Sequence, residues 1–198
     1  MKLKLTILLS LVTLVVASTA LAQCDISGNI TASANPDSEG PAWMYTLTIN
    51  WDTDVQYALS HMDLIIDSEG GTCTLSDIAA HLFWDPIIGT SDGEGGCTVS
   101  YFGELSGNGD PSIPGIGGII LKFEPNGGDC EPGNVGTATF VFYSDLPPVP
   151  VDEDALSLVD KYSLYYCMGH LTGVFPGYAC DPVDNEATNF GTLKGMFR

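Results

Sequence analysis

Positive charge is nearly missing from this chain. Its 198 residues hold six Lys and Arg against 25 Asp and Glu, a formal net charge of −19. So acidic a surface repels phosphate backbones and anionic headgroups, which excludes nucleic acid and an anionic membrane surface as partners. Histidine is scarce: His61, His81 and His170 stand far apart in sequence and form no triad. The chain has no G-x-S-x-G, no H-E-x-x-H and no P-loop, so no nucleophile elbow, zinc helix or phosphate cradle is legible. It has no Cys-x-x-Cys and no histidine at ligand spacing from a cysteine pair, which argues against a cysteine-built zinc site. Beyond residue 22 no apolar run reaches the roughly 20 residues that a membrane-spanning helix needs, and no membrane insertion is expected.

What is present begins with Lys2 and Lys4, the apolar run Leu5–Ala17 and the small-x-small site Ala20-Leu21-Ala22. This pattern predicts a secretory signal over 1–22 and a secreted, extracellular or cell-surface protein. Gln23 precedes Cys24 where a lipobox requires a small residue, so a lipoprotein is not expected. Removal of the signal leaves Lys122, Lys161, Lys194 and Arg198 against all 25 acidic residues. Cys24, Cys73, Cys97, Cys130, Cys167 and Cys180 remain, an even count that predicts three structural disulfides with open pairing.

Alternation marks the strands. Trp43, Tyr45, Leu47, Ile49 and Trp51 interleave with Met44, Thr46, Thr48 and Asn50, which predicts a strand with one buried face. In Val55–Asp67, Met62, Leu64 and Ile66 share one face, while His61, Asp63 and Ile65 share the other. Further strands are expected at 26–34, 97–104, 118–123, 137–143, 157–168 and 190–197. Thr74–Trp84 is the helix candidate, with Thr74 or Ser76 as cap and Pro86 as stop. Gly- and Pro-rich segments at 89–96, 106–117, 125–136 and 146–154 read as loops. The expectation is one domain over 23–187, an antiparallel β-sandwich of jelly-roll or Ig-like form with one short helix, stabilised by disulfides. Residues 188–198 form a tail or last strand. The long, uneven loops weigh against an up-and-down barrel.

Few residues point to chemistry. His61 and Asp63 stand at i, i+2, a spacing open to a proton relay or metal ligation, although a hydrogen bond to a neighbouring backbone or carboxylate group is the simpler account of the histidine and is the one expected. Calcium favours clustered oxygens on loops. Asp152-Glu153-Asp154 is the densest such cluster, so Asp152 and Asp154 are the metal-ligand candidates, with Asp92, Glu94, Asp110, Asp129 and Glu131 adding acidic groups elsewhere. Trp84 is the candidate carbohydrate-facing aromatic, while Trp43 and Trp51 read as core. Asn29-Ile30-Thr31 is a glycosylation sequon. Paired carboxylates of a glycoside hydrolase are a weaker alternative, because 25 acidic residues supply pairs by chance.

Trp43-Met44-Tyr45-Thr46-Leu47-Thr48, then Ala58-Leu59-Ser60-His61, then Cys73, resembles the W-x-Y-x-L…L-S-H…C pattern of bacterial secreted and cell-surface β-sandwich modules of adhesion type. Gly118–Phe123 and Gly136–Phe142 are similar to the strands that follow in such modules. The resemblance implies an extracellular adhesion-type or structural module and no catalytic residue. The ending Thr188–Arg198 is similar to T-x-W-G-x-I-K-x-x-Y-R tails of exported bacterial proteins, with Phe190 and Phe197 in place of Trp and Tyr. It is open as last strand, sorting tag or strand donated to a neighbour. The function expected is non-enzymatic binding or assembly at the cell surface, with an extracellular protein, a glycan or a second copy as partner. A calcium- or carbohydrate-binding module is the alternative.

Overall fold

The computed structural model describes residues 24–54, 58–68, 70–126, 128–151 and 157–180. The expected signal, the tail at 188–198 and the calcium candidates Asp152 and Asp154 lie outside these. The strands are β1 (Cys24–Ala34), β2 (Trp43–Thr53), β3 (His61–Asp67), β4 (Ile87–Asp92), β5 (Thr98–Ser106), β6 (Ile119–Pro125), β7 (Val135–Ser144), β8 (Pro148–Pro150), β9 (Ser157–Tyr162) and β10 (Tyr165–Pro176). One short helix, α1 (Leu75–Ala79), follows β3. Thr74 is its N-cap, with a capping box to Asp77.

The strands run in the order β1-β2-β7-β4-β5-β6-β3-β9-β10, and β10 then pairs with β1. Nine strands therefore close a barrel, and the expected sandwich is corrected to it. The closing ladder is parallel, from Ser27 opposite His170 to Ile30 opposite Gly173. Strand alternation looks the same in a sandwich and a barrel. What separates them is whether the first strand's second edge finds a partner, and here the partner lies some 140 residues away in sequence. The long loops, read as evidence against a barrel, lie outside the wall and leave closure untouched. Gly173 is where closure constrains side-chain size: its φ is +106°, and a Cβ would meet the Ile30 carbonyl oxygen at 1.9 Å.

Other boundaries moved for local reasons. The expected strand 157–168 turns back at Ser163-Leu164, where Ser163 adopts φ 54°, and continues as β10. Ile87–Asp92, partly read as loop, is a strand between β5 and β7 despite Gly89. A Cβ at Gly89 would meet Phe140 and the Thr139 carbonyl, so the glycine admits close backbone approach. The 55–67 strand begins at His61, and the helix is shorter than Thr74–Trp84.

The barrel interior is a filled core. Tyr45, Leu47, Ile49 and Trp51 of β2 all point inward and are buried. Phe123 and Phe140 stack at 4.1 Å, Tyr101 meets Phe140 edge-on, and Tyr45, Phe142 and Phe175 continue the aromatic column. Outward positions such as Thr48, Asn50, Asp52, Thr137 and Thr139 are polar. Apolar within and polar without is the reverse of a transmembrane barrel, and no helix among the described residues is long and apolar enough to cross a membrane. Cys73–Cys180 and Cys97–Cys130 are disulfides, and Cys167 is disulfide-bonded as well. The side chain of Cys24 lies outside those described.

Candidate functional site

Strand alternation sends Met62, Leu64 and Ile66 of β3 into the barrel and His61, Asp63 and Ile65 outward. Outward side chains of a barrel wall ordinarily meet water. Here they do not, because the β5–β6 connection, residues 107–118, folds back over the outer wall of β3, β6 and β9. The connection holds itself together as a compact loop. Gly109 N–H donates to the Gly118 carbonyl, Asp110 N–H to Ile116, Ile113 N–H to Asp110 and Ile116 N–H to Ile113. Gly109 has φ +65°, and a Cβ there would meet the Ile116 carbonyl oxygen at 2.0 Å. Lys161 Nζ of β9 donates to the Ser112 carbonyl at 2.7 Å and tethers the loop from below. Ile113 of the loop, Ile120 of β6 and Val159 of β9 are buried yet lie outside the main core cluster. They form a separate apolar seal on the outer wall.

Under this seal lies a polar cluster. His61 is 6% exposed, Asp63 0% and Asp110 3%. His61 Nε2 lies 2.7 Å from Asp110 Oδ2 and 3.9 Å from Asp63 Oδ2. Lys122, opposite Asp63 on β6, places Nζ 3.4 Å from Asp110 Oδ2 and 2.7 Å from Glu124 Oε1. Despite the short approach, His61 Nε2 and Asp110 Oδ2 lack hydrogen-bond geometry, and both oxygens of Asp63 are also without a hydrogen-bond partner. One oxygen of Asp110 is satisfied: Oδ1 accepts from Ser112 N–H at 2.6 Å.

The two carboxyl groups are driven apart in acidity. Burial, then the Asp110 charge and the close approach of the Asp110 carboxyl, which falls short of hydrogen-bond geometry, push Asp63 up to about 7 against the pull of Lys122. Burial also acts to raise Asp110, but the hydrogen bonds from Ser112 and the charges of His61 and Lys122 hold it at about 2. Burial and Lys122 lower His61 although Asp110 favours its cation. The cluster therefore holds an ionised Asp110, a proton-retaining Asp63 and an imidazole biased to its neutral form. Across the wall, Asp160 of β9 points into the barrel beside Leu158 and Tyr162 and is fully buried. Burial keeps its carboxyl well above the usual range, although Tyr162 Oη donates to Oδ2 at 3.3 Å.

His61, Asp63 and Asp110 are the one group among the described residues whose ligand atoms gather as a metal would require, all within 4.8 Å of one another. The pairing of His61 with Asp63 was legible as i, i+2. Asp110 stood out only as one acidic loop residue among several, and nothing local in Gly107-Asn108-Gly109-Asp110 places it on His61. Asp160 had a signal: Leu158, Asp160 and Tyr162 alternate with Val159 and Lys161, which puts a carboxyl on an apolar face. His81 Nδ1 meets Asp145 Oδ1 at 2.8 Å on the surface, and His170 is exposed on β10. Trp84, expected as an exposed platform, packs partly buried against the core. Asn29 faces outward, its amide donating to Thr172 Oγ1. Clefts of about 520 Å³ beside the loop stem and about 360 Å³ near Ser60 and Pro125 contain none of the clustered groups.

Compared with known proteins, the chain matches no family model and no curated protein sequence.

Proposed function

We propose that this is an exported, non-enzymatic protein that acts by binding or assembly at the cell surface, through the outer face of the β9–β10 hairpin. One observation carries the reading. Leu164 at the hairpin turn is 92% exposed, and Tyr166 and Met168, alternating with it along β10, are 45% and 56% exposed. The intervening Cys167 is buried, so these three side chains share the outward face of a rigid wall. The next outward positions along β10, His170 and Thr172, are polar and the chain is strongly acidic, so the apolar stripe stands out on this strand. Contiguous exposed apolar side chains with tyrosine among them mark contact surfaces. The buried carboxyls weigh against the glycosidase alternative, because the loop at 107–118 closes over them and leaves no substrate cleft between them.

The test is a triple variant, Leu164→Asp, Tyr166→Ser and Met168→Ser, compared with the unaltered protein by light scattering after size exclusion and by retention on the cells that export it. The reading expects the unaltered protein to assemble or stay with the cells and the variant to be a free monomer. Equal behaviour of the two, both folded, rules this surface out.

A further inference from the structure

The sealed cluster under loop 107–118 goes beyond a contact function. We propose that His61, Asp63 and Asp110 bind a single divalent ion of the first transition row, zinc being the probe, and that the ion fastens the loop to the barrel wall. The three side chains converge from two separate elements: His61 and Asp63 from one face of β3, Asp110 from the loop. Their ligand atoms lie within 4.8 Å of one another and all three residues are buried. In the same three residues His61 Nε2, both oxygens of Asp63 and Asp110 Oδ2 have no hydrogen-bond partner, Asp110 Oδ2 having ion-pair contacts with His61 and Lys122 alone. Buried polar atoms are nearly always paired, because an unpaired one forfeits its hydration. Four in one place is the arrangement a cation satisfies, with Asp63 giving up its proton to solvent as the ion enters.

The donor set selects the ion class. One imidazole nitrogen and two carboxylates match zinc and its neighbours, which take histidine and aspartate at about 2.0–2.2 Å. Calcium requires six to eight oxygens, and magnesium retains several waters in octahedral geometry; a sealed site with one nitrogen suits neither. Lys122 lies at the edge of the cluster, its ammonium 2.7 Å from Glu124 and 3.4 Å from Asp110. Ile113, Ile120 and Val159, buried on the same outer wall, limit the access of water to the cluster. The surface pair His81–Asp145 offers two ligands and no burial, so it serves as an internal control.

The test uses the untagged protein as exported, stripped with chelator, titrated with zinc chloride or calcium chloride by calorimetry and followed by thermal melting. We expect one zinc per chain, a raised melting temperature with zinc and none with calcium. Asp63→Asn and His61→Gln should each weaken zinc binding by more than the about 10–100-fold that follows loss of an outer-shell partner, with His81→Gln unchanged. Asp63→Asn keeps the size and shape of the side chain, and circular dichroism confirms that each variant is folded before titration. An NMR titration of the unaltered protein needs no variant: zinc should shift His61 and the amides of 109–116 while His81 stays fixed. No zinc binding by the unaltered protein, full-affinity binding by the two ligand variants, or shifts centred on His81 overturns the proposal.

Discussion

The two faces of β3 are both dry, yet they are dry for different reasons. Inward, Met62, Leu64 and Ile66 join an aromatic interior where Phe123 and Phe140 fill the space, Tyr101 Oη pairs with Ser91 Oγ, and the buried Asp160 carboxyl is the polar exception. Outward, His61 and Asp63 are covered by a loop that supplies Asp110, and four polar atoms there lack hydrogen bonds. An apolar interior is stabilised simply by closing it to water. A polar cluster closed to water is costly unless something satisfies it. The contrast assigns the inner face to stability and the outer face to chemistry, and each side can be perturbed without the other.

The largest effect is expected inside. Phe140→Ala removes a ring that stacks on Phe123 and contacts Tyr101, and should cost about 3–5 kcal/mol in urea unfolding while leaving any zinc response of the remaining folded protein intact. The Cys73–Cys180 disulfide closes a separation of 107 residues between the β3–α1 connection and the segment after β10. Its removal by a double Cys→Ser change should cost about 2–4 kcal/mol, read as a lower unfolding midpoint.

The next effect sharpens the outer face. Asp63, held at about 7, binds its proton more tightly folded than unfolded. The stability this confers is complete below the unfolded value near 4 and is lost as pH rises through about 7. His61 is lowered, so the folded state holds fewer protons, and it opposes Asp63 as pH falls below its unfolded value. Asp63→Asn removes the first term alone. Its stability relative to the unaltered protein should improve between pH 4 and 7 by at most about 1.4 kcal/mol per pH unit, checked by urea unfolding at several pH values without metal. A relative stability that stays flat over this range would show that Asp63 ionises as an ordinary carboxyl.

Smallest in stability is the hairpin. Leu164→Asp should change unfolding by no more than about 0.5 kcal/mol, as expected for an exposed side chain outside special features, while abolishing retention on cells. A large stability loss instead would mean that Leu164 packs in the fold rather than on a partner.

The elements of this barrel were largely legible. Alternation in Trp43–Trp51 located β2 and its inward face, and Thr74 with Asp77 located the helix start, because both signals are local. Closure was not, since Ser27 and His170 carry no mark that they pair in parallel. The turn at Ser163-Leu164 lacks the glycine or asparagine that usually announces a reversal, so one long strand was read where two exist. The candidate site divides along the same line. His61 and Asp63 share a strand face, which spacing reveals. Asp110 reaches them through a fold-back of the β5–β6 loop, and only the folded wall of β3, β6 and β9 determines where that loop lands. The acidic run at 152–154 drew attention by density alone, whereas the cluster that converges joins the β3 pair to Asp110, 47 positions beyond Asp63.

Once satisfied by an ion, the polar cluster is expected to hold loop 107–118 on the barrel wall. Hydrogen–deuterium exchange of the metal-stripped protein, with and without zinc, measures this most directly. Zinc should slow exchange at the Gly109, Asp110, Ile113 and Ile116 amides and leave the β2–β7 ladder unchanged. Equal exchange at those loop amides in the two conditions would contradict it.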